Sequence, residues 1–94
     1  MQLTEVKVYP VNDDETLKAY ATIVFDDCFV VRDLKIIHGN SGLFVAMPSK
    51  KKKDGTYRDT AHPLNNETRR MIEESVLGEY ERELRKLDGV AVAR

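Results

Sequence analysis

The sequence predicts an α+β domain: one antiparallel sheet of about five strands, followed by an amphipathic C-terminal helix. Three observations predict it. Apolar and polar residues alternate through much of the first half. Clusters of glycine, proline, asparagine and aspartate divide that half into strand-length pieces. From about residue 65 the apolar period changes from two to that of a helix. No helical pattern comes between the early strands, which excludes parallel βαβ units.

The first strand is Leu3–Tyr9, with Val6 and Val8 on one face and Glu5 and Lys7 on the other. Pro10 and the polar run Asn12–Glu15 mark a turn. In the second strand Leu17, Ala19, Ala21, Ile23 and Phe25 fall on every second residue, and Asp26-Asp27 turns the chain back. The third stretch, Phe29–Ile37, alternates imperfectly: Val30, Leu34 and Ile36 share one parity, and Phe29, Val31 and Ile37 the other. Burial on both faces and a bulge each account for that. Gly39-Asn40-Ser41-Gly42 predicts a turn in which both glycines tolerate positive φ. Leu43–Met47 is a short strand ended by Pro48, Ser49–Gly55 a polar loop, and Tyr57–Ala61 the last strand before His62-Pro63.

Asn65 or Asn66 caps the helix. Ile72, Val76, Tyr80, Leu84 and Leu87 form its apolar stripe, widened by Met71 and Leu77. Glu79 with Glu83, and Arg82 with Lys86, put charge on the opposite face. Gly78 costs about 1 kcal/mol relative to alanine in mid-helix, so the helix bends there or something packs close. Asp88-Gly89 ends it. The chain divides into a single domain, residues 1–88, and a short flexible tail, residues 89–94.

At 94 residues the chain is one small domain. A domain of this size buries only roughly 60–65% of its unfolded surface, so a partner subunit would add needed stability. No apolar run approaches the ~20 residues that span a bilayer. The N-terminus reads as a strand and not as a signal peptide. Cys28 is the only cysteine, which excludes an intramolecular disulfide; a cytoplasmic location is expected.

Formal net charge is −1, but its distribution is uneven. Residues 47–70 hold seven basic and three acidic side chains, whereas residues 1–46 hold four and seven. That is the pattern of a local anion-binding edge on a neutral protein.

Catalysis is not expected. Cys28, Ser41, Ser49 and Ser75 are the candidate nucleophiles and His38 and His62 the candidate bases, but none sits in a recognisable catalytic motif. Two histidines and one cysteine, widely spaced, make no zinc site. No cofactor, metal, membrane or small-molecule substrate is expected.

The basic segment stands out. Lys50, Lys51, Lys52 and Lys53 are consecutive, and Arg58 follows closely. Lysines also serve simply to protect a sheet edge. Four in a row repel each other, however, and a polyanion relieves that cost by counterion release, with little base discrimination. Arg69 and Arg70 lie in the first turn or two of the helix, where positive charge opposes the dipole and a bound phosphate would be favoured. Asn65, Asn66, Glu67 and Thr68 add groups able to reach base edges. Plain capping explains the asparagines and Glu67, but not two arginines. The candidate nucleic-acid contacts are therefore Lys50, Lys51, Lys52, Lys53, Arg58, Asn66, Glu67, Thr68, Arg69 and Arg70. Tyr57, beside the basic loop, is a further stacking candidate. The rival reading is a protein-interaction module whose lysines meet an acidic partner.

The stretch from Gly39 to Lys50, Gly-Asn-Ser-Gly-Leu-Phe-Val-Ala-Met-Pro-Ser-Lys, resembles the central signature of the SpoVG (stage V sporulation protein G) family. Asp54-Gly55, Arg58-Asp59, Ala61-His62-Pro63, Asn65 and Arg69 continue it. Phe29–Leu34 and Asn12 with its hairpin resemble the preceding part, so the likeness runs from about Leu3 to Tyr80. The resemblance implies a homodimer that binds DNA, and in some members RNA, and regulates gene expression in sporulation, cell division, capsule and virulence programmes. It implies DNA contact by Lys50 and Lys51, and target choice by Asn66, Glu67, Thr68 and Arg69. Two departures stand out. Lys51-Lys52-Lys53 replaces the Arg-Thr-Pro common in relatives, and Asn66–Thr68 falls in a variable stretch, so no target sequence carries over.

Overall fold

The computed structural model describes residues 1–11 and 16–92, with side chains described through Leu87. The turn expected at Asn12–Glu15 and the last two residues of the expected tail lie outside the described residues.

Strands β1 (Leu3–Pro10), β2 (Leu17–Phe25), β3 (Phe29–Gly39) and β4 (Gly42–Ala46) form an antiparallel sheet in sequence order. Strands β5 (Ser49–Lys51) and β6 (Tyr57–Asp59) form a separate two-stranded ribbon, and α1 (Asn66–Val92) ends the fold. The α+β class is as expected from the sequence. The expected loop at Ser49–Gly55 is instead half strand, because its first three residues pair with Tyr57–Asp59. The last strand is correspondingly shorter than Tyr57–Ala61 and lies outside the main sheet.

Alternation explains how the layers assemble. Val8, Ala19, Ala21, Ile23, Phe25, Leu34, Ile36 and Val45 point to one face and are buried there with Ile72, Val76 and Tyr80 of the helix. No polar residue is buried among the described residues. The helix therefore covers one face of the sheet and leaves the other open.

The irregular third strand is a bulge. Ala21 pairs with Leu34 but Ile23 with Val31, so two residues of β3, Arg32 and Asp33, stand opposite Thr22 alone. Asp33 takes φ 67°, which shifts the parity and keeps both Val31 and Leu34 on the core side. The turn after β2 has φ 51° at Asp26 and 54° at Asp27, with the Cys28 N–H donating to the Phe25 carbonyl at 3.0 Å. This mirror-image turn matches the strand twist, and aspartate tolerates the left-handed region better than most residues. Gln2 and Thr4 hold it: the Gln2 N–H donates to Asp26 Oδ1 at 2.8 Å, and the Asp27 N–H to Thr4 Oγ1 at 2.9 Å.

The two glycines around the β3–β4 turn serve different needs. Gly42 takes φ 113°, whereas at Gly39 a Cβ would sit 2.9 Å from the Phe44 ring. Asn65 is the cap that the helix uses: its Oδ1 accepts from the Thr68 N–H at 2.7 Å. Tyr80 is the last buried residue of the apolar stripe. Leu84 (37% exposed) and Leu87 (56%) run past the sheet. The helix does not stop at Asp88-Gly89 but continues to Val92. A single glycine costs only about 1 kcal/mol in a helix, and no proline follows to break it.

Candidate nucleic-acid interface

Met47 anchors the end of the main sheet in the core, and Pro48 turns the chain out of it. The ribbon then builds itself on local bonds. The Thr60 N–H and hydroxyl both donate to the Pro48 carbonyl, at 2.8 and 3.1 Å, and close its base. At the tip the Gly55 N–H donates to the Lys52 carbonyl at 3.0 Å, and the Lys52 N–H to the Thr56 carbonyl at 2.7 Å. Gly55 takes φ 90°, the left-handed conformation that the return from this turn requires. Asp54 Oδ1 accepts from the Thr56 N–H at 3.0 Å and the Thr56 hydroxyl at 2.7 Å. Those bonds from Thr56 hold the Asp54 carboxyl below its usual value of 3.8.

Register decides what the ribbon displays. Lys50 stands opposite Arg58, Lys51 opposite Tyr57, and Ser49 opposite Asp59. All six residues are exposed. Like charges placed directly across an antiparallel pair repel. No ion pair among the described residues neutralises Lys50, Lys51, Lys52, Lys53 or Arg58. These five line a single groove with Asp59 and Thr60. Tyr57, 67% exposed, stands on the same ribbon.

The helix start is a separate place. Asn66, Glu67 and Arg70 are exposed, and Thr68 and Arg69 are half-buried. Glu67 and Arg70 share a shallow depression with Glu74 on one face of the helix, with no ion pair joining Arg70 to either carboxylate among the described residues. Thr68 instead lines an apolar cleft of about 170 Å³ with Phe29, Met47, His62 and Ile72 among others. The Arg69 N–H donates to the Asn65 carbonyl at 3.2 Å, so this residue already belongs to the helical ladder. The structure thus gathers Lys50–Lys53 and Arg58 into one surface. It does not join them to Asn66–Arg70 in a single groove.

The remaining candidates have structural places. His62 Nδ1 lies 3.0 Å from the Pro63 carbonyl, and Cys28 is an exposed turn residue. No group of three metal-ligating side chains occurs among the described residues. No helix among them is long and apolar enough to cross a membrane. One contact was not legible in the sequence. Glu73 Oε2, from the helix, accepts the Val45 N–H of edge strand β4 at 3.4 Å. Only the crossing of helix and sheet brings these two together.

The family model for SpoVG matches residues 1–82. The chain belongs to the SpoVG family. It is 67% identical over 86 residues to a relative from Anaeromyxobacter sp. (strain Fw109-5), covering 92% of this chain and 88% of that one. A Bdellovibrio bacteriovorus relative is 62% identical over 93 residues, covering 99% of this chain and 85% of its own. A Myxococcus xanthus relative is 58% identical over 94 residues, covering 99% and 94%. All three are named septation proteins of the SpoVG type, and none by an enzymatic activity.

Proposed function

We propose that this SpoVG-family chain is a cytoplasmic nucleic-acid-binding regulator of gene expression that works in septation and sporulation programmes as a homodimer. One observation carries the reading. The β5–β6 ribbon holds Lys50 against Arg58 with three further lysines beside them, exposed and without ion pairs among the described residues. Such an arrangement is self-repelling until a polyanion enters the groove. Phosphates suit it because lysines bind them as point charges and release condensed counterions. The names of the relatives support the septation context. The exposed leucines at the helix end favour a second subunit.

In this reading the ribbon grips phosphates, and Asn66, Glu67, Thr68 and Arg69 contribute whatever sequence preference there is. Arg70, which shares its helix face with the acidic Glu67 and Glu74, contributes least. The test is fluorescence anisotropy of labelled duplex DNA and single-stranded RNA across a salt series. Lys50→Ala with Lys51→Ala is expected to weaken binding to every sequence and to flatten the slope of log K against log salt by about 2 per protomer. Changes at Asn66–Thr68 are expected to alter preference among sequences instead. If wild-type protein bound neither ligand at low salt but captured an acidic protein, the ribbon would be a protein-docking element.

A further inference from the structure

The open face of the main sheet has its own composition. Because Val8, Ala19, Ala21, Leu34, Ile36 and Val45 point to the helix, their strand neighbours point away from it. The register aligns three of these neighbours in one row: Tyr9 pairs with Tyr20, and Tyr20 with Lys35. Tyr9 is 54% exposed and Tyr20 40%. Adjacent strands lie about 4.8 Å apart, so the two rings are immediate neighbours on one surface. Phe44, from edge strand β4, stands on the same face at 44% exposure.

Charge accompanies the aromatics. Lys7 and Lys18 alternate with core residues on β1 and β2, so they share the face with Lys35. Against these three stands Glu5, 3.5 Å from Lys7. The Arg32–Asp33 bulge adds one charge of each sign. Among the described residues the face is therefore net basic, with the two tyrosines side by side on β1 and β2.

We propose that this open sheet face is a stacking platform for single-stranded nucleic acid, separate from the basic ribbon and selective for unpaired bases. The inference rests on the nucleic-acid reading above and adds to it which form of strand is held, and where. Unpaired bases stack on exposed aromatic rings while nearby lysines meet the backbone. Duplex bases are already stacked on each other and present no free ring face. The platform thus discriminates by strandedness, and the ribbon's lysines do not.

The test uses the full chain with fluorescein-labelled oligo(U) and a duplex DNA of mixed sequence. Tyr9→Ala with Tyr20→Ala is expected to lower oligo(U) affinity by about tenfold or more. Duplex affinity should stay within about twofold of wild type. The chain has no tryptophan, so Tyr20→Trp places a single reporter on the face. Its emission should be quenched by oligo(U) at the concentrations that raise anisotropy. Thermal melting checks that each variant is folded. Unchanged oligo(U) affinity in the double alanine variant, with loss in the Lys50/Lys51 variant, would overturn the platform and leave the ribbon reading standing. Duplex binding by wild type without any oligo(U) binding would do the same. A shift from dimer to monomer on removing the tyrosines would make the face a subunit interface and overturn it as well. If wild type bound neither probe, the nucleic-acid reading itself would fall.

Discussion

Asp54 shows how much one side chain does for the ribbon. Its carboxylate accepts both donors of Thr56, and these bonds fix the tip that follows four consecutive lysines. Because the bonds favour the charged form, the carboxyl titrates below 3.8. The sign follows: the bonds are complete above that value and are lost as pH falls through the lowered one. An NMR titration should show the Gly55 and Thr56 amide shifts constant from neutral pH down to about 5, then moving together in strong acid. Asp54→Asn keeps an acceptor without a titrating group and should abolish that movement. A midpoint at or above the ordinary carboxylate value would mean that the bonds do not form in solution. From sequence alone Asp54-Gly55 suits either the tip of the polar loop or its exit, and the structure puts it in the turn between β5 and β6. The sequence also announced equal roles for Gly39 and Gly42, which the structure separates. Gly42 needs a positive φ, whereas Gly39 needs room for Phe44, a contact between side chains that local pattern does not encode.

At the scale of elements, strong periodicity was legible and short pairings were not. β2 was plain because five residues alternate without a break, and α1 because its stripe repeats at helical spacing. The bulge in β3 was one of two alternatives, and only register with β2 chooses between them. Ser49–Lys51 carried no strand signal at all: lysines and a serine are poor strand formers, and the ribbon exists because Tyr57–Asp59 lies across from it. The candidate site shared this limit. Lys50–Lys53 was conspicuous in sequence, but its opposition to Arg58 depends on pairing. The row Tyr9–Tyr20–Lys35 depends on two registers together. Gly78 gives the test at this scale. A Cβ there meets nothing within 4 Å among the described residues, so no close packing with them requires the glycine. Gly78→Ala is therefore expected to stabilise the protein by about 1 kcal/mol, raising Tm by about 4–8 °C for a domain of this size. A lower Tm would mean either a bend that only glycine allows or a second subunit pressed against that position.

For the whole molecule, the question is why the helix outruns the sheet. Ile72, Val76 and Tyr80 are buried, and the next two residues of the same stripe, Leu84 and Leu87, are exposed. Surface salt bridges of Arg82 with Glu79 (2.9 Å) and Lys86 with Glu83 (3.0 Å) support this stretch, but such pairs contribute little on their own. An apolar stripe continued past the core of a small domain is the kind of surface that a second copy would cover. Edge strand β4 is a poorer candidate, because Glu73 already takes the Val45 N–H. In the proposed homodimer, then, helix ends meet. Leu84→Gln with Leu87→Gln removes the apolar surface while keeping net charge and helix propensity. In sedimentation the variant is expected to have the mass of one chain where wild type has two. Its Tm should lose its dependence on protein concentration. Duplex affinity should also fall by tenfold or more, since two basic ribbons joined in one particle bind with a high effective concentration that a single ribbon lacks. A variant that remained dimeric would move the interface away from the helix end. A monomeric wild type would leave each ribbon to bind alone, and the salt slope would then match the lysines of one chain.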